Sequence, residues 1–233
     1  MTITKRTTKG SSLTYAEMDG NLTHMEGLEQ RLDRIDNSDA TPRIYTSGVK
    51  TAAYRPGEVI EVLSGLCNGA DVTVQSGTYT FPNVTGVQEI NSSDTYVDVT
   101  GSNLAYTPPT GTTRVVYEFS YLLDGLGTGD DPDPMGHFRF YIDSAEVENA
   151  RFTVGDQSQQ FGDKIIFRWV VGITGVNVPN DGILVSWTSA KTLKMRARRY
   201  SSNHNLQLHE ANYWDGTTSD QFSRPMLTIT AIA

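Results

Sequence analysis

The chain has 233 residues, and its 19 lysines and arginines against 27 aspartates and glutamates give a formal net charge of −8 at pH 7. Such an acidic chain is poorly suited to the phosphate backbone of nucleic acids, which proteins bind through lysine and arginine. Its apolar runs stay well short of the ~20 residues that cross a bilayer. Residues 1–9 do not have the apolar segment of a secretory signal. We therefore expect a protein that is made in the cytoplasm, binds no nucleic acid and does not insert into a membrane.

A helical pattern dominates residues 1–40. Thr14 and Glu17 have the spacing of a capping box, which satisfies the first free N–H groups of a helix. Apolar side chains at spacings of three and four then predict an amphipathic helix that ends near Asp36. A single helix of this length has marginal stability in water, so we expect its apolar stripe to be buried. The stripe either forms a short bundle between copies of the chain, docks on another protein or packs on the chain's own body. The stripe and the residue before the cap are Leu13, Met18, Leu22, Met25, Leu28, Leu32 and Ile35.

Beyond residue 42 the apolar period changes to two, which is typical of strands with one buried face. Turn clusters separate the segments, and no helical pattern lies between them. We therefore predict a mainly β body over 41–233, an antiparallel β-sandwich or jelly roll, whose first part, 41–110, is more polar. The final strand is expected to be an inner one. The inward sets are Val115, Tyr117, Phe119 and Tyr121; Phe138, Phe140 and Ile142; Ile165, Phe167, Trp169 and Val171; Ile183, Val185 and Trp187; Leu193, Met195 and Ala197; and Leu227, Ile229 and Ala231.

The polar first part of the body also contains strand-like segments, although their alternation is weaker. These segments are Val59–Leu63, Val72–Phe81, Val84–Ile90 and Tyr96–Val99. The single cysteine, Cys67, lies among apolar neighbours and excludes an intrachain disulfide. We expect it to be a buried, unreactive thiol.

Two parts of the sequence resemble known families. Lys9–Leu22 is similar to a short N-terminal motif of bacteriophage fibres and other virion-attached proteins, which implies attachment to another virion protein through residues 1–40. Several body segments resemble modules of marine and cyanobacterial phage structural proteins, which are similar to trimeric jelly rolls of the tumour-necrosis-factor and C1q kind. This resemblance implies a homotrimer located in the virion, with the last strand inside the sandwich. The segments are Ser76–Thr85, Tyr106–Thr112, Val116–Phe119, Tyr200–Ser202, Tyr213–Gly216 and Arg224–Ala233.

One segment of the body departs from the resemblance. Ile142–Val147 has no glycine after Asp143, where a tight turn is expected. The departure concerns the type of the turn and leaves the predicted fold unchanged.

The sequence offers little catalytic or metal-binding chemistry. It contains no nucleophile, zinc or phosphate-binding motif of known spacing, and we predict no catalytic residues, no metal and no cofactor. A pair of carboxylates brought together by folding remains a route to glycoside hydrolysis. The acidic segment 124–134 supplies oxygen ligands for calcium, but its spacing is irregular and a solvated loop is the favoured interpretation.

The candidate contact residues lie near the end of the chain. The cationic side chains of strand 191–199 alternate onto one face, where they contact an anionic glycan or an acidic neighbour, or form a solvated face with cross-strand ion pairs. The aromatic residues of 200–222 have polar companions, which suits sugar stacking, an interface or core packing. The candidates for contact with a glycan or partner are Tyr200, His204, His209, Tyr213, Trp214, Lys194, Arg196 and Arg198.

Together these features predict a non-enzymatic phage virion protein. The main hypothesis is a short tail fibre, attached and trimerised through residues 1–40, whose β body adheres to a host-surface glycan. Three weak sites on one trimer would raise its avidity. The main alternative is a capsid-decoration or head-fibre protein without a specific receptor, and a polysaccharide-degrading tailspike is a third.

Overall fold

A computed structural model describes residues 14, 18, 45–46, 49–50, 54–124, 135–155, 163–204, 206–215 and 218–233. The chain divides into two compact units, Met1–Arg55 and Pro56–Ala233. In the first unit Met18 is helical, and its N–H donates a 3.0 Å hydrogen bond to the Thr14 carbonyl. The remainder of the predicted helix, the other residues of its stripe and the predicted boundary near residue 40 lie outside the described residues.

The described strands of the two units are numbered in chain order. In the first unit, β1 and β2 pair in antiparallel fashion. A short 3-10 turn at Pro179–Asp181 precedes β13. The strands are β1 Tyr45–Thr46, β2 Val49–Lys50, β3 Val59–Leu66, β4 Asp71–Val74, β5 Gly77–Thr80, β6 Gln88–Glu89, β7 Val97–Asp98, β8 Leu104–Tyr106, β9 Arg114–Asp124, β10 Met135–Ile142, β11 Ala145–Gly155, β12 Asp163–Ile173, β13 Ile183–Leu184, β14 Lys191–Arg199, β15 Gln207–Leu208, β16 Glu210–Trp214, β17 Thr218–Phe222 and β18 Met226–Ile232.

Two sheets of the second unit build a jelly roll. The first sheet runs β3–β18–β9–β12, with β13 at its edge and β15 and β6 continuing beside the end of β9. The second runs β11–β10–β14, and both β7 and β8 pair with β14 as one interrupted strand. We count eight strands along the chain: β3, β7 together with β8, β9, β10, β11, β12, β14 and β18. In this count the first sheet has the order 1-8-3-6 and the second has the order 2-7-4-5. This is the double Greek key of a jelly roll, and the predicted fold class is confirmed.

Aromatic side chains from the two sheets meet in the core. The Tyr117 ring on β9 lies 5.0 Å from the Phe140 ring on β10, and Phe167 on β12 lies 5.4 Å from both Phe140 and Phe152. Large buried aromatic rings contribute much of the stability of such a core. The alternation predicted for β9, β10, β14 and β18 is confirmed, since each predicted inward residue of these strands is buried, and Ile165 and Trp169 on β12 are half-buried.

The final strand is an inner strand, as predicted. β18 pairs with β3 on one side and with β9 on the other. Its inward side chains Leu227, Ile229 and Ala231 have no solvent exposure. The last seven-residue strand therefore completes the first sheet, because β3 reaches β9 only through it.

Three strand predictions in less regular parts of the body are wrong in extent. Val72–Phe81 forms the hairpin β4–β5, and Val84–Ile90 contributes only the two residues of β6. Ile183–Trp187 contributes only the two residues of β13, which pair in parallel with β12. Val185 is exposed, whereas Trp187 is buried with its ring edge-on to the Tyr106 ring, and its indole N–H donates to the Tyr106 carbonyl at 3.1 Å.

The turn without a glycine is formed by Asp143 itself. Asp143 adopts a φ of 55° between β10 and β11, a left-handed conformation that aspartate tolerates better than most residues. Its N–H donates to the Thr192 carbonyl at 2.7 Å, and its carboxylate accepts the Thr192 N–H at 2.8 Å. These two hydrogen bonds hold the hairpin turn against β14 and replace the glycine.

Candidate functional site

The outer surface of the second sheet carries three of the eight candidate contact residues, Lys194, Arg196 and Arg198, and we call it the charged face. Cross-strand partners share one side of a sheet, so the register places side chains of four strands together. His137, for example, lies opposite Thr153 on one side and Arg198 on the other. The face consists of Tyr96, Asp98, His137, Arg139, Tyr141, Glu146, Arg151, Thr153, Lys194, Arg196 and Arg198.

A carboxylate pairs with two of the three cationic side chains that β14 places on this face. Lys194 Nζ and Arg196 Nε each lie 3.0 Å from an oxygen of Asp98. Arg139 Nη1 lies 3.0 Å from Glu146 Oε2. Lys194 and Arg196 thus take the ion-paired form that was the alternative to glycan contact. Pairs this exposed contribute at most about 1 kcal/mol each.

Arg198, the third of these cationic side chains on β14, has a different environment. Its Nη1 donates to the carbonyls of Ser93, Arg199 and Tyr200 at 2.6, 3.2 and 3.3 Å. Within the described part of the chain no carboxylate lies within ion-pair distance of it. The guanidinium carbon also lies 5.5 Å from the ring centroid of Tyr96. The positive charge of Arg198 is therefore held in place by carbonyl groups, and no described carboxylate lies near it.

Beside Arg198 an exposed tyrosine contacts two histidines, and we call Arg198, Tyr200, His137 and His204 the Tyr200 cluster. The Tyr200 ring lies 5.4 Å from the His137 ring and 5.2 Å from the His204 ring, and the tyrosine is 49% exposed. Burial, followed by the charges of Arg198 and Arg139, lowers the pKa of His137. His137 is therefore neutral at pH 7.

Hydroxyl groups orient both histidines of the cluster. His137 Nδ1 lies 2.8 Å from Thr153 Oγ1, and His204 Nδ1 lies 2.8 Å from Ser201 Oγ. The backbone N–H of His204 also donates to the Ser201 carbonyl at 3.2 Å, which closes the turn after β14. Neither Nε2 has a hydrogen-bond partner among the residues that the structure describes. Both Nε2 atoms thus remain available for a ligand.

His209 is not a surface contact, and its prediction as one is wrong. Its side chain has no solvent exposure and lies edge-on to Phe119 and Tyr121, with centroids 6.4 and 6.2 Å away. Its Nε2 lies 3.0 Å from Thr100 Oγ1. Burial lowers the pKa of His209 to about 4. His209 is thus a neutral core residue that follows the buried Leu208 in the sequence.

The other aromatic candidates lie on a different element. Tyr213 belongs to the hairpin β16–β17 and is 56% exposed. Trp214 ends β16, and its side chain is outside the described residues. Sequence reasoning missed His137 and Tyr96. The only available signal for His137 was the alternation of β10, which directs it away from the core.

The outer surface of the first sheet has the opposite character, and we call it the apolar face. Two rows of cross-strand partners cross β3, β18, β9 and β12, and the row between them is polar and includes Glu118 and Arg168, 4.0 Å apart. Five apolar side chains on this face are between 43% and 58% exposed. They are Val62, Leu66, Ile166, Val170 and Met226.

Exposed apolar side chains gathered on one surface mark sites of interaction. On the apolar face the register sets Leu66, Met226 and Ile166 in one row, interrupted by Ser120. It sets Val62 and Val170 in another row, with Thr230 and Val116 between them. The charged face has no comparable group among its described residues. The two outer surfaces of the sandwich therefore differ in the exposed apolar side chains that they carry.

Two further features bear on chemistry. A cavity of about 250 Å³ lies between the β10–β11 turn and the 3-10 turn, where Lys191 Nζ lies 3.2 Å from an Asp143 oxygen. In the described part of the chain no group of three or more histidine, cysteine or acidic residues is placed to hold a metal ion. Residues 125–134 lie outside it, so the calcium hypothesis for 124–134 stays a prediction. No helix among the described residues is long and apolar enough to span a membrane.

Comparisons with known proteins find similarity of structure and none of sequence. No family model matches the chain, and no curated protein matches its sequence. The chain is similar to a protein in the structure of the Gx strain of infectious bursal disease virus, with 8% identity and a TM-score of 0.33. The similarity covers 81% of this chain and 41% of that one, so the match spans less than half of the viral chain. A similarity at this level identifies neither a family nor a function.

Proposed function

We propose that the chain is a non-enzymatic structural protein of a bacteriophage virion, which forms a homotrimer through the apolar face and displays the charged face for adhesion. The observation that carries the proposal is the contrast between the two outer surfaces of the jelly roll. One surface presents five half-exposed apolar side chains, and the other is covered by paired charges and aromatic rings. The assignment to a phage is supported by the resemblance of Lys9–Leu22 and of the body segments.

The apolar face suits contact between copies of the chain. Its two apolar rows can be buried against a second copy, while the polar row between them, which includes Glu118 and Arg168, keeps its cross-strand partners. Complete burial of a Val, Leu, Ile or Met side chain contributes about 1.5–3 kcal/mol, and side chains near half exposure gain part of that. Five such side chains on each of three chains supply a substantial driving force. The threefold arrangement follows the resemblance to trimeric jelly rolls.

The finer assignment is a short tail fibre. Residues 1–40 would attach the trimer to another virion protein, and the jelly roll would face outward toward host-surface glycans. A capsid-decoration or head-fibre protein is the second candidate, since it would use the same trimer and attachment. A density map of the intact particle separates these two locations, tail apparatus or capsid shell.

The oligomeric state tests the proposal directly. Val170→Asp places a charge in the apolar face, and Val176→Asp is the matched control, because Val176 is 61% exposed in the loop after β12. In sedimentation equilibrium at micromolar concentration we expect the trimer mass for the wild type and Val176→Asp, and the monomer mass for Val170→Asp. A monomeric wild type would overturn the homotrimer. A trimer that persists in Val170→Asp would overturn the assignment of the interface to the apolar face.

A separate assay addresses the tailspike alternative. The purified protein is incubated with polysaccharide extracted from susceptible bacteria, and soluble saccharide products are measured by mass spectrometry. We expect no products, because the proposed protein binds without cleaving. Release of oligosaccharides would contradict the non-enzymatic role.

A further inference from the structure

We infer that the Tyr200 cluster is a binding site for a carboxylate-bearing saccharide, in which the Tyr200 ring carries the sugar and Arg198 pairs with its acid group. This inference rests on the proposed adhesive function and adds the class of ligand and the residues that bind it. It separates Tyr200, His204 and Arg198 from the other candidate contact residues and adds His137 to them.

The Tyr200 ring supplies the apolar surface. It is 49% exposed at the end of β14, and its described side-chain contacts are with the rings of His137 and His204. Its backbone is fixed, since the Tyr200 N–H donates to the Met135 carbonyl at 2.8 Å. A ring fixed at its base and open at its surface can stack on the apolar side of a sugar at little cost in conformational entropy.

Arg198 supplies the charge. Its neighbours Lys194 and Arg196 on the same strand are paired with Asp98, whereas Arg198 donates to backbone carbonyls. Only Nη1 of Arg198 makes hydrogen bonds within the described residues, so its other N–H groups face no protein acceptor there. A guanidinium binds a carboxylate with two parallel hydrogen bonds. The cluster is therefore matched to one negative charge.

The two histidines supply hydrogen bonds for hydroxyl groups. Thr153 and Ser201 hold the Nδ1 atoms of His137 and His204, which leaves both Nε2 atoms for the ligand. A neutral imidazole nitrogen donates to or accepts from a hydroxyl, depending on its tautomer. Sugar hydroxyls both donate and accept, so they fit either tautomer.

The surrounding charges disfavour a polyanion such as nucleic acid. Binding a phosphate backbone depends on several unpaired cations, but Asp98 and Glu146 pair with Lys194, Arg196 and Arg139. The chain as a whole carries a net charge of −8. A ligand with isolated acid groups on a saccharide fits this arrangement, and a densely charged polymer does not.

The test uses the full chain and three oligosaccharides of equal length: oligogalacturonate, which is carboxylated; a malto-oligosaccharide, which is neutral; and a sulfated malto-oligosaccharide. Binding is followed by titration calorimetry at low and high salt. We expect oligogalacturonate to bind at least tenfold more tightly than either other probe, and its affinity to fall as salt rises. Equal or tighter binding of the neutral or sulfated probe, or no binding of oligogalacturonate at millimolar concentration, would overturn the inference.

Variants locate the site. Tyr200→Ala removes the ring and is expected to weaken oligogalacturonate binding at least tenfold, while Tyr200→Phe keeps most of the affinity. Tyr213→Ala, at a tyrosine of similar exposure on the β16–β17 hairpin, is the matched control and is expected to bind like the wild type. Arg198→Gln should abolish the preference for the carboxylated probe. Unchanged binding by Tyr200→Ala, or lost binding by Tyr213→Ala, would overturn the inference.

The proposed function and the inference about the Tyr200 cluster can be overturned independently of each other. A glycan array that shows binding of the trimer to neutral saccharides only would keep the adhesive trimer and overturn the inference. A monomeric protein that binds oligogalacturonate through Tyr200 would keep the site and overturn the homotrimer.

Discussion

The Tyr106 hydroxyl donates a 2.7 Å hydrogen bond to a buried carboxylate oxygen of Glu61. Glu61 lies on β3 of the first sheet and Tyr106 on β8 of the second, so the hydrogen bond joins the two layers of the jelly roll. Both the N–H and the hydroxyl of Ser76, in the β4–β5 turn, donate to the same carboxylate at 2.7 Å. Burial and the Glu61 carboxylate raise the pKa of Tyr106. One acidic side chain thus holds two sheets and a hairpin.

Glu61→Ala is expected to destabilise the protein by about 3 kcal/mol, because it leaves the buried Tyr106 hydroxyl and the half-buried Ser76 N–H without their acceptor. Glu61→Gln should cost less, since its amide oxygen still accepts one of these hydrogen bonds. Urea unfolding measures both. Thr78→Ala is the control, because it removes only an exposed hydroxyl, 2.9 Å from that of Thr73, and should change stability by less than about 0.5 kcal/mol. Equal losses of stability in Glu61→Ala and Thr78→Ala would contradict the role of Glu61 in holding the two sheets together.

The regular part of the fold was predictable from alternation. Phe138 and Phe140, or Leu193 and Met195, stand two residues apart with polar residues between them, and all four are buried. The polar segments were less predictable because their structure depends on distant partners. Trp187 is buried against Tyr106, 81 residues away, whose carbonyl accepts its indole N–H.

The candidate site was only partly predictable for the same reason. Alternation placed Lys194, Arg196 and Arg198 on one face, but it could not show that Asp98 pairs with the first two and not with the third. That difference depends on the pairing of β7 with β14. The burial of His209 was also hidden, since its apolar contacts come from β9, which is distant in sequence, and its neighbours Leu208 and Glu210 give no consistent signal.

The alternation of β14 predicts very different effects for two adjacent substitutions. Met195 is fully buried, so Met195→Ala should cost about 2–5 kcal/mol through the cavity it leaves. Lys194→Ala removes only a surface ion pair with Asp98 and should cost at most about 1 kcal/mol. Urea unfolding of the two variants provides the comparison. Similar losses for both would contradict the register of this strand.

Cys67 is expected to resist alkylation while the protein is folded. The thiol has no solvent exposure and donates to the Gly101 carbonyl at 3.3 Å. Burial raises its pKa to about 12, so almost no reactive thiolate is present at pH 8. Mass spectrometry after iodoacetamide treatment should show an unmodified folded protein and complete modification in concentrated urea. Rapid labelling without denaturant would contradict the buried position of Cys67 in the core.

His209 is expected to make the protein acid-sensitive. The folded chain keeps His209 neutral down to about pH 4, whereas an unfolded histidine is protonated near pH 6.5. The unfolded state therefore binds more protons in this window, so stability is fully present above pH 6.5 and is lost as the pH falls toward 4, by up to about 3 kcal/mol.

His209→Asn tests this acid sensitivity, because asparagine tolerates the φ of 69° at this position but does not titrate. Urea unfolding of both proteins from pH 7.5 to pH 4 gives the difference in slope, in which the titration of the carboxylates common to both cancels. The variant should be less stable at pH 7.5, because it loses core contacts with Phe119 and Tyr121. Its stability should nevertheless fall less steeply with acid than that of the wild type. Parallel curves would mean that His209 takes up its proton equally in the folded and unfolded states, which is incompatible with its position between two aromatic rings of the core.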